Sequence, residues 1–341
     1  MSEVKFSHRW DVDREYQLPE AVIGGGFCGV AGLPVALDAA GGLHWLESGA
    51  LVEADSDGGF ACDARACAPW AVVGGDQGRV TLWQPGESSP LRTMKAGKGW
   101  VERVRISPDG NKVAAACGKS LVVWDASSGE ELLRFDGHPA TVLELAWRPD
   151  SAGIASSCYG GVRLFKLGAD DKPPQLLDWQ GSLISLAWSP NARYVAAGSQ
   201  ENSIRFWKLP FRAGEELQMT GYASKVANVS WDASARWLAS GGGDTVTNWD
   251  VSGKGPAGSE PGVLEAHEAR ICALVYHPSL PLLASGDVTG ELYIWGFPSN
   301  ETIVFESESE AEITTLNWAD NAVVRLLVGD RNGGVKIIHG Q

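Results

Sequence analysis

The chain carries 42 acidic and 28 basic side chains among 341 residues, a formal charge of −14, so its long-range field repels nucleic-acid phosphates and anionic membrane surfaces. Its 42 glycines and 15 tryptophans suit many tight turns joining short strands around bulky aromatic fillers. Six cysteines (Cys28, Cys62, Cys67, Cys117, Cys158, Cys272) are scattered without the dense spacing of a disulfide-stapled secreted module, and they read as free thiols in a reducing compartment.

In chain order, the first stretch, MSEVKFSHRWDVDREYQ, mixes charge signs every few residues and lacks the apolar segment of about 7 to 15 residues that a signal peptide needs. No apolar run approaches the roughly 20 residues that span a bilayer, so the expected location is the cytoplasm, with no membrane contact. Within that stretch, residues 4–12 (VKFSHRWDV) are strand-like. An irregular unit, AVIGGGFCGVAGLPVALDAAGGLHW, follows, and it opens a series.

Eight segments each place a turn residue before alternating apolar positions: GGLHWL, GRVTLWQ, KSLVVWD, GGVRLFK, NSIRFWK, DTVTNWD, GELYIWG and GGVKIIH. Their marker residues are Trp45, Trp83, Trp124, Phe165, Trp207, Trp249, Trp295 and Ile338, spaced about 42 residues apart, the period of a four-stranded repeat. A second column stands 16 to 20 residues earlier: Phe27, Cys67, Ile106, Trp147, Trp188, Trp231, Tyr276 and Trp318. From Ile106 onward it leads into turns such as ISPDG, WSPNA and YHPSL, where Pro, Asp, Asn and Gly supply turn chemistry. Short strands follow the turns (KVAAACG, YVAAGS, WLASGG, LLASGD), and further candidates such as ELLRFDG and TIVFES follow the markers, giving four strands per unit.

Trp124-Asp125, Trp249-Asp250, Gly137-His138, Ala266-His267, LASGG and LASGD, eight units in phase, resemble the WD-repeat (WD40) family over nearly the whole chain. The resemblance implies an all-β fold: one closed β-propeller domain over residues 1–341, with four-stranded antiparallel blades, eight or else seven. The chain stops three residues after Ile338, so the segment at 4–12 is expected to pair with the last blade and cover edges that otherwise recruit foreign strands. Family blades hold a buried set of His, Ser or Thr, Asp and Trp. Here the nearest sets are His267, Ser285 and Trp295 with Asp287 displaced, and Ser240, Asp244 and Trp249 with Tyr222 in the histidine place; neither looks complete. His138 and His267 then orient neighbours as structural groups, beside the structural Trp45, Trp83, Trp124, Trp207, Trp249 and Trp295.

Gly24-Gly25-Gly26-Phe27-Cys28-Gly29 fits G-x-G-x-x-G, but a dinucleotide site needs a helix to follow, and a short strand follows instead. Cys62 and Cys67 are expected on opposite faces of a strand, short of the four ligands of a zinc site. His8, His44, His277 and His339 show no partner, and there is no G-x-S-x-G, P-loop or H-E-x-x-H. The expectation is therefore no catalytic residue, no cofactor and no metal.

The propeller resemblance puts the turns between second and third strands on the top face: Asp38, Gln77, Lys119, Tyr159, Glu201, Asp244, Asp287 and Asn332, joined by Arg270, Glu310 and Glu312 at loop entries. Trp100, in GKGWVERV, sits where a loop enters an inner strand. Trp100, Lys119, Tyr159, Glu201, Arg270, Glu310 and Asn332 are the candidate partner-binding residues. The FESESEAEI run forms either an acidic docking edge or a solvated loop. The expected function is a non-enzymatic scaffold that binds a protein or peptide on the top face, as a monomeric ring or a subunit of a larger complex. The alternative is a propeller enzyme or small-molecule sensor with a site in the central channel.

Overall fold

A computed structural model describes residues 10–340 apart from positions 56, 169–171, 254, 298–301, 310 and 321–322. The described residues form eight four-stranded antiparallel sheets, with one three-residue 3-10 turn at Asp76–Gly78 and no α-helix among them. Blades 1 to 7 occupy residues 22–53, 61–95, 101–135, 144–177, 187–219, 228–265 and 271–308, and blade 8 takes 313–340. The irregular first unit is a full blade, so the count is eight. Each inner strand packs against the inner strand of the next blade, and Val22–Cys28 packs against Ile313–Trp318, which closes the ring.

Closure depends on the N-terminal strand, as expected, but that strand runs from Trp10 to Gln17, later than the expected 4–12. It pairs antiparallel with Gly334–Gly340, Trp10 opposite Gly340 and Gln17 opposite Gly334, as the outermost strand of blade 8. Residues 4–9, with His8, lie outside the described residues. Trp10 fixes the strand: it is buried, with its ring 6.2 Å from Trp318 and 6.3 Å from Phe305.

The markers share one register. Trp45 faces Val35, Trp83 Ala71, Trp124 Val113, Phe165 Ile154, Trp207 Val195, Trp249 Leu238, Trp295 Leu283 and Ile338 Leu326, and every marker is buried. Burial of one such large side chain contributes about 1.5 to 3 kcal/mol. Following each row to the inner strand gives Ile106, Trp147, Trp188, Trp231, Tyr276 and Trp318 as predicted. Blades 1 and 2 differ: the inner positions are Gly26 and Ala64, not Phe27 and Cys67. Gly26 pairs with Val35 and Ala64 with Ala71, which places Phe27 one residue and Cys67 three residues beyond the row. Cys67 lies in the turn beyond that strand, so Cys62 and Cys67 do not share one strand.

The glycine run serves packing. A Cβ on Gly26 would sit 2.5 Å from the Ala64 carbonyl oxygen of the next blade and 3.2 Å from the Asn317 amide of blade 8. Gly26 therefore allows blades 8, 1 and 2 to meet closely at the inner wall, and its strand turns into a second strand, Leu33–Asp38, without a helix. The acidic run is also strand: Thr302–Glu308 pairs with Glu291–Gly296, because Ile303 and Phe305 face Trp295 and Ile294. The solvated-loop reading fails as far as Glu308.

Candidate functional site

One face of the ring collects the turns between second and third strands together with the loops that lead into each blade. Backbone hydrogen bonds tie the two sets: Val142 N–H to the Gly118 carbonyl, Ser224 to Gly242, Ile271 to Gly243, Val288 to Arg270, Ser309 to Gly290 and Arg331 to Glu312. These contacts make the top face a rigid rim of short loops. Its turns need left-handed backbone, which glycine supplies at Gly118, Gly160, Gly290 and Gly333, and which Gln77 and Asn202 adopt at φ 52° and 53°.

The predicted partner-binding residues are distributed around this rim. Trp100 is 58 % exposed, and its ring stacks on Phe60 with centroids 5.3 Å apart and planes 17° apart. Lys119 is exposed while its carbonyl accepts from His138 Nδ1 at 2.9 Å. Arg270 and Asn332 are exposed, the latter's carbonyl accepting from Gln17 Nε2 at 2.7 Å. Glu310 lies outside the described residues. The structure brings Tyr159 and Glu201 to one loop: Tyr159, 55 % exposed, bridges to Ser182, whose N–H donates to Glu201 Oε1 at 3.1 Å. Trp100 and Lys119 belong to the entry loop and a turn of blade 3, and Arg270 and Asn332 stand on blades 7 and 8.

Asp38 of the predicted top-face set, and two histidines that sequence left without a partner, are internal or engaged. Asp38 is buried, accepting from Gly42 N–H at 2.8 Å and lying 2.7 Å from His44 Nε2, which gives His44 the partner its sequence did not reveal. His277 Nδ1 accepts from the backbone N–H groups of Ser279 and Leu280, both at 3.1 Å, closing its own turn.

Asp287 completes the blade 7 set, contrary to expectation. Trp295 Nε1–H donates to Ser285 Oγ at 2.9 Å, Ser285 Oγ lies 2.8 Å from His267 Nε2, and His267 Nδ1 lies 2.8 Å from Asp287 Oδ2. Asp287 also accepts from Thr289, Gly290 and Glu291 N–H. Burial lowers the His267 pKa, although Asp287 pulls it upward. For Asp287, burial raises the pKa but the Thr289 and His267 hydrogen bonds prevail, leaving it lowered. A neutral imidazole donating to an ionised carboxylate satisfies both. His267, Asp287 and Glu291 place possible metal-ligand atoms within 4.8 Å of one another, but the atoms of His267 and Asp287 are committed to this network.

Blade 6 substitutes a phenol. Tyr222 OH lies 2.8 Å from Ser240 Oγ and 3.0 Å from Thr247 Oγ1, and it accepts from Trp249 Nε1 at 2.9 Å, while Asp244 stands exposed outside the set.

The central channel forms a cavity of about 390 Å³ whose walls include Gly24, Cys62, Asp63, Arg65, Arg105 and Asn228. Its charged groups are engaged with one another: Arg65 with Asp63 at 3.1 Å, and Arg105 and Arg103 sharing Glu144 at 2.6 and 3.3 Å. Burial pushes the thiol of Cys62 well up and that of Cys272 to about 12, so both stay protonated. Among the described residues the channel offers no nucleophile activated by an adjacent base.

The "WD domain, G-beta repeat" family matches residues 88–125, 129–166, 174–208 and 258–296, four windows in phase with the eight blades. Four WD repeats thus lie within an eight-bladed β-propeller. Among curated proteins, this propeller is similar to "Cell division cycle 20.5, cofactor of APC complex" of Arabidopsis thaliana, 27 % identical over 219 residues, 61 % of this chain and 48 % of that protein. It is also similar to "Protein FIZZY-RELATED 2" of the same plant, 26 % identical over 261 residues, 72 % and 53 % of the two chains. The chain thus spans about half the length of these relatives. Among solved structures, a computationally designed protein, Ika8, superposes with a TM-score of 0.78 at 22 % identity over 95 % of this chain and 97 % of that one. A chain of the "Mitotic Checkpoint Complex" gives 0.65 at 18 % identity over 79 % and 85 %. At these identities the structural matches speak to the propeller fold alone. No described helix is long and apolar enough to cross a membrane.

Proposed function

We propose that the propeller is a non-enzymatic docking platform that holds a partner protein or peptide on its top face, as a cytoplasmic ring or a subunit of a larger assembly. The observation that carries this reading is Trp100. A large aromatic more than half exposed is held in place by stacking on Phe60, so its contact area is offered to a partner with little ordering left to lose. Lys98 stands exposed two residues away and Lys119 in a turn of blade 3, which the Trp100 loop enters, giving an aromatic and basic sector on a ring of net negative charge. One of the relatives is named as a cofactor of the APC complex, which agrees with a ring that works by contact.

Affinity capture from native extract with wild type and Trp100→Ala tests the reading. The expected result is selective loss of one or more partners from the variant, with unchanged melting. Identical partner sets remove Trp100 and with it the support for this face. The channel alternative would be favoured instead by stoichiometric metal in the purified protein.

A further inference from the structure

The seam between blades 4 and 5 departs from the polar pattern that blades 4, 6 and 7 share. His138, Tyr222 and His267 each stand 18 residues before the serine they bond, Ser156, Ser240 and Ser285. In blade 5 the same two places hold Trp179 and Ala197. Two residues before the marker, where blades 2 and 6 have Thr81 and Thr247, blade 5 has Arg205. Arg205 is only 7 % exposed, and its guanidinium carbon lies 3.0 Å from the centroid of the Trp179 ring, a cation–π contact.

The result is a cluster of donors without acceptors. Trp179 Nε1, Arg205 Nε and Trp207 Nε1 are all buried and unpartnered, and Arg205 forms no ion pair with a described residue. Glu216 and Glu201 act on it only through space, both from exposed positions, and Glu201 Oε1 is already engaged by Ser182 N–H. Buried polar groups are nearly always paired, so a donor-only site beneath the Trp179 indole is a site for an acceptor. The cover is on the docking face: Trp179 lies in the loop that carries Ser182, to which Tyr159 bridges.

We propose that the blade 4–5 seam is a carboxylate-binding subsite, in which an acidic side chain of a bound peptide displaces the Trp179 indole and accepts hydrogen bonds from Arg205. The subsite rests on the docking reading for the source of its ligand. A singly charged carboxylate fits better than a phosphate dianion, because Glu201 and Glu216 repel the second charge.

The test follows the indole N–H resonances of the full chain by ¹⁵N-correlated NMR, with the Trp179 signal assigned from Trp179→Phe. The probes are N-acetylglutamate N-methylamide, its glutamine counterpart and inorganic phosphate. The expected result is a saturable shift of Trp179 with the glutamate probe alone, at least tenfold weaker binding in Arg205→Met and several-fold tighter binding in Glu201→Gln. Arg205→Met should keep or raise the melting temperature, since it removes an unpaired buried charge. An unmoved Trp179 signal, equal binding by Arg205→Met, or a stronger response to phosphate overturns the proposal. Partner capture separates the two readings: partners lost by Trp100→Ala yet retained by Arg205→Met leave the platform standing and sink the subsite.

Discussion

Replacing Ser285 by Ala isolates what the complete network contributes to blade 7. Ser285 is fully buried, and its hydroxyl accepts from Trp295 Nε1 at 2.9 Å while lying 2.8 Å from His267 Nε2. Removing it leaves one indole N–H and one imidazole nitrogen inside the core without partners. Each orphaned group costs about 1 to 3 kcal/mol, so the substitution should destabilise by about 2 to 6 kcal/mol, with little added for the lost volume. Ser157 in blade 4 is the matched control: it is equally buried, but its hydroxyl has no hydrogen-bond partner. Ser157→Ala should therefore be neutral within about 0.5 kcal/mol, or stabilising. The assay is equilibrium urea unfolding followed by tryptophan fluorescence and circular dichroism, comparing midpoints at equal slopes. Equal midpoints for the two variants would refute the view that paired polar groups, and not serine burial as such, stabilise the blade.

Acidification should unfold the ring through histidine before it does so through carboxylate. Burial lowers His138 and His277 from 6.5 to about 4, with the Lys119 carbonyl opposing the shift at His138. A depressed histidine contributes its full stability above pH 6.5 and loses it as pH falls through the folded value. At about 1.4 kcal/mol per unit, each should cost roughly 3 kcal/mol by pH 4, together a large part of a typical folding free energy. Asp109 and Asp250, lowered to about 2, protonate only below their ordinary 3.8, so a urea midpoint that stays flat between pH 6.5 and 4.5 contradicts this order. Deleting residues 1–17 should expose the Gly334–Gly340 edge, lower the melting temperature and promote association, measured by calorimetry and light scattering; a peptide of residues 1–20 added in trans should reverse both.

The ring was legible because its markers sit on the third strand of each blade, flanked on both sides and buried in every case. Such a position demands a large apolar residue, and Trp45 through Ile338 repeat it. The inner column was less legible in blades 1 and 2, since Gly26 and Ala64 do there by close backbone approach what Trp147 or Trp318 do by bulk. Those tryptophans donate across the seam, Trp147 to the Arg105 carbonyl at 3.0 Å and Trp318 to that of Val275 at 3.1 Å. Glycine offers no such signal, and nearby Phe27 drew the alignment one residue too far.

The polar sets were half legible for a related reason. Sequence spacing gave His267, Ser285 and Trp295 but judged Asp287 displaced, because the turn that returns Asp287 to His267 is built from backbone hydrogen bonds at Thr289, Gly290 and Glu291, which leave no mark in residue type. Once the register is fixed, position carries more than identity. Trp179 looks like one more tryptophan in a chain rich in them, yet it stands where a histidine bonds a serine elsewhere, opposite an alanine and over an arginine. A ring whose blades repeat one geometry makes such a departure measurable: the same place that in blade 7 closes a network leaves three N–H groups open in blade 5.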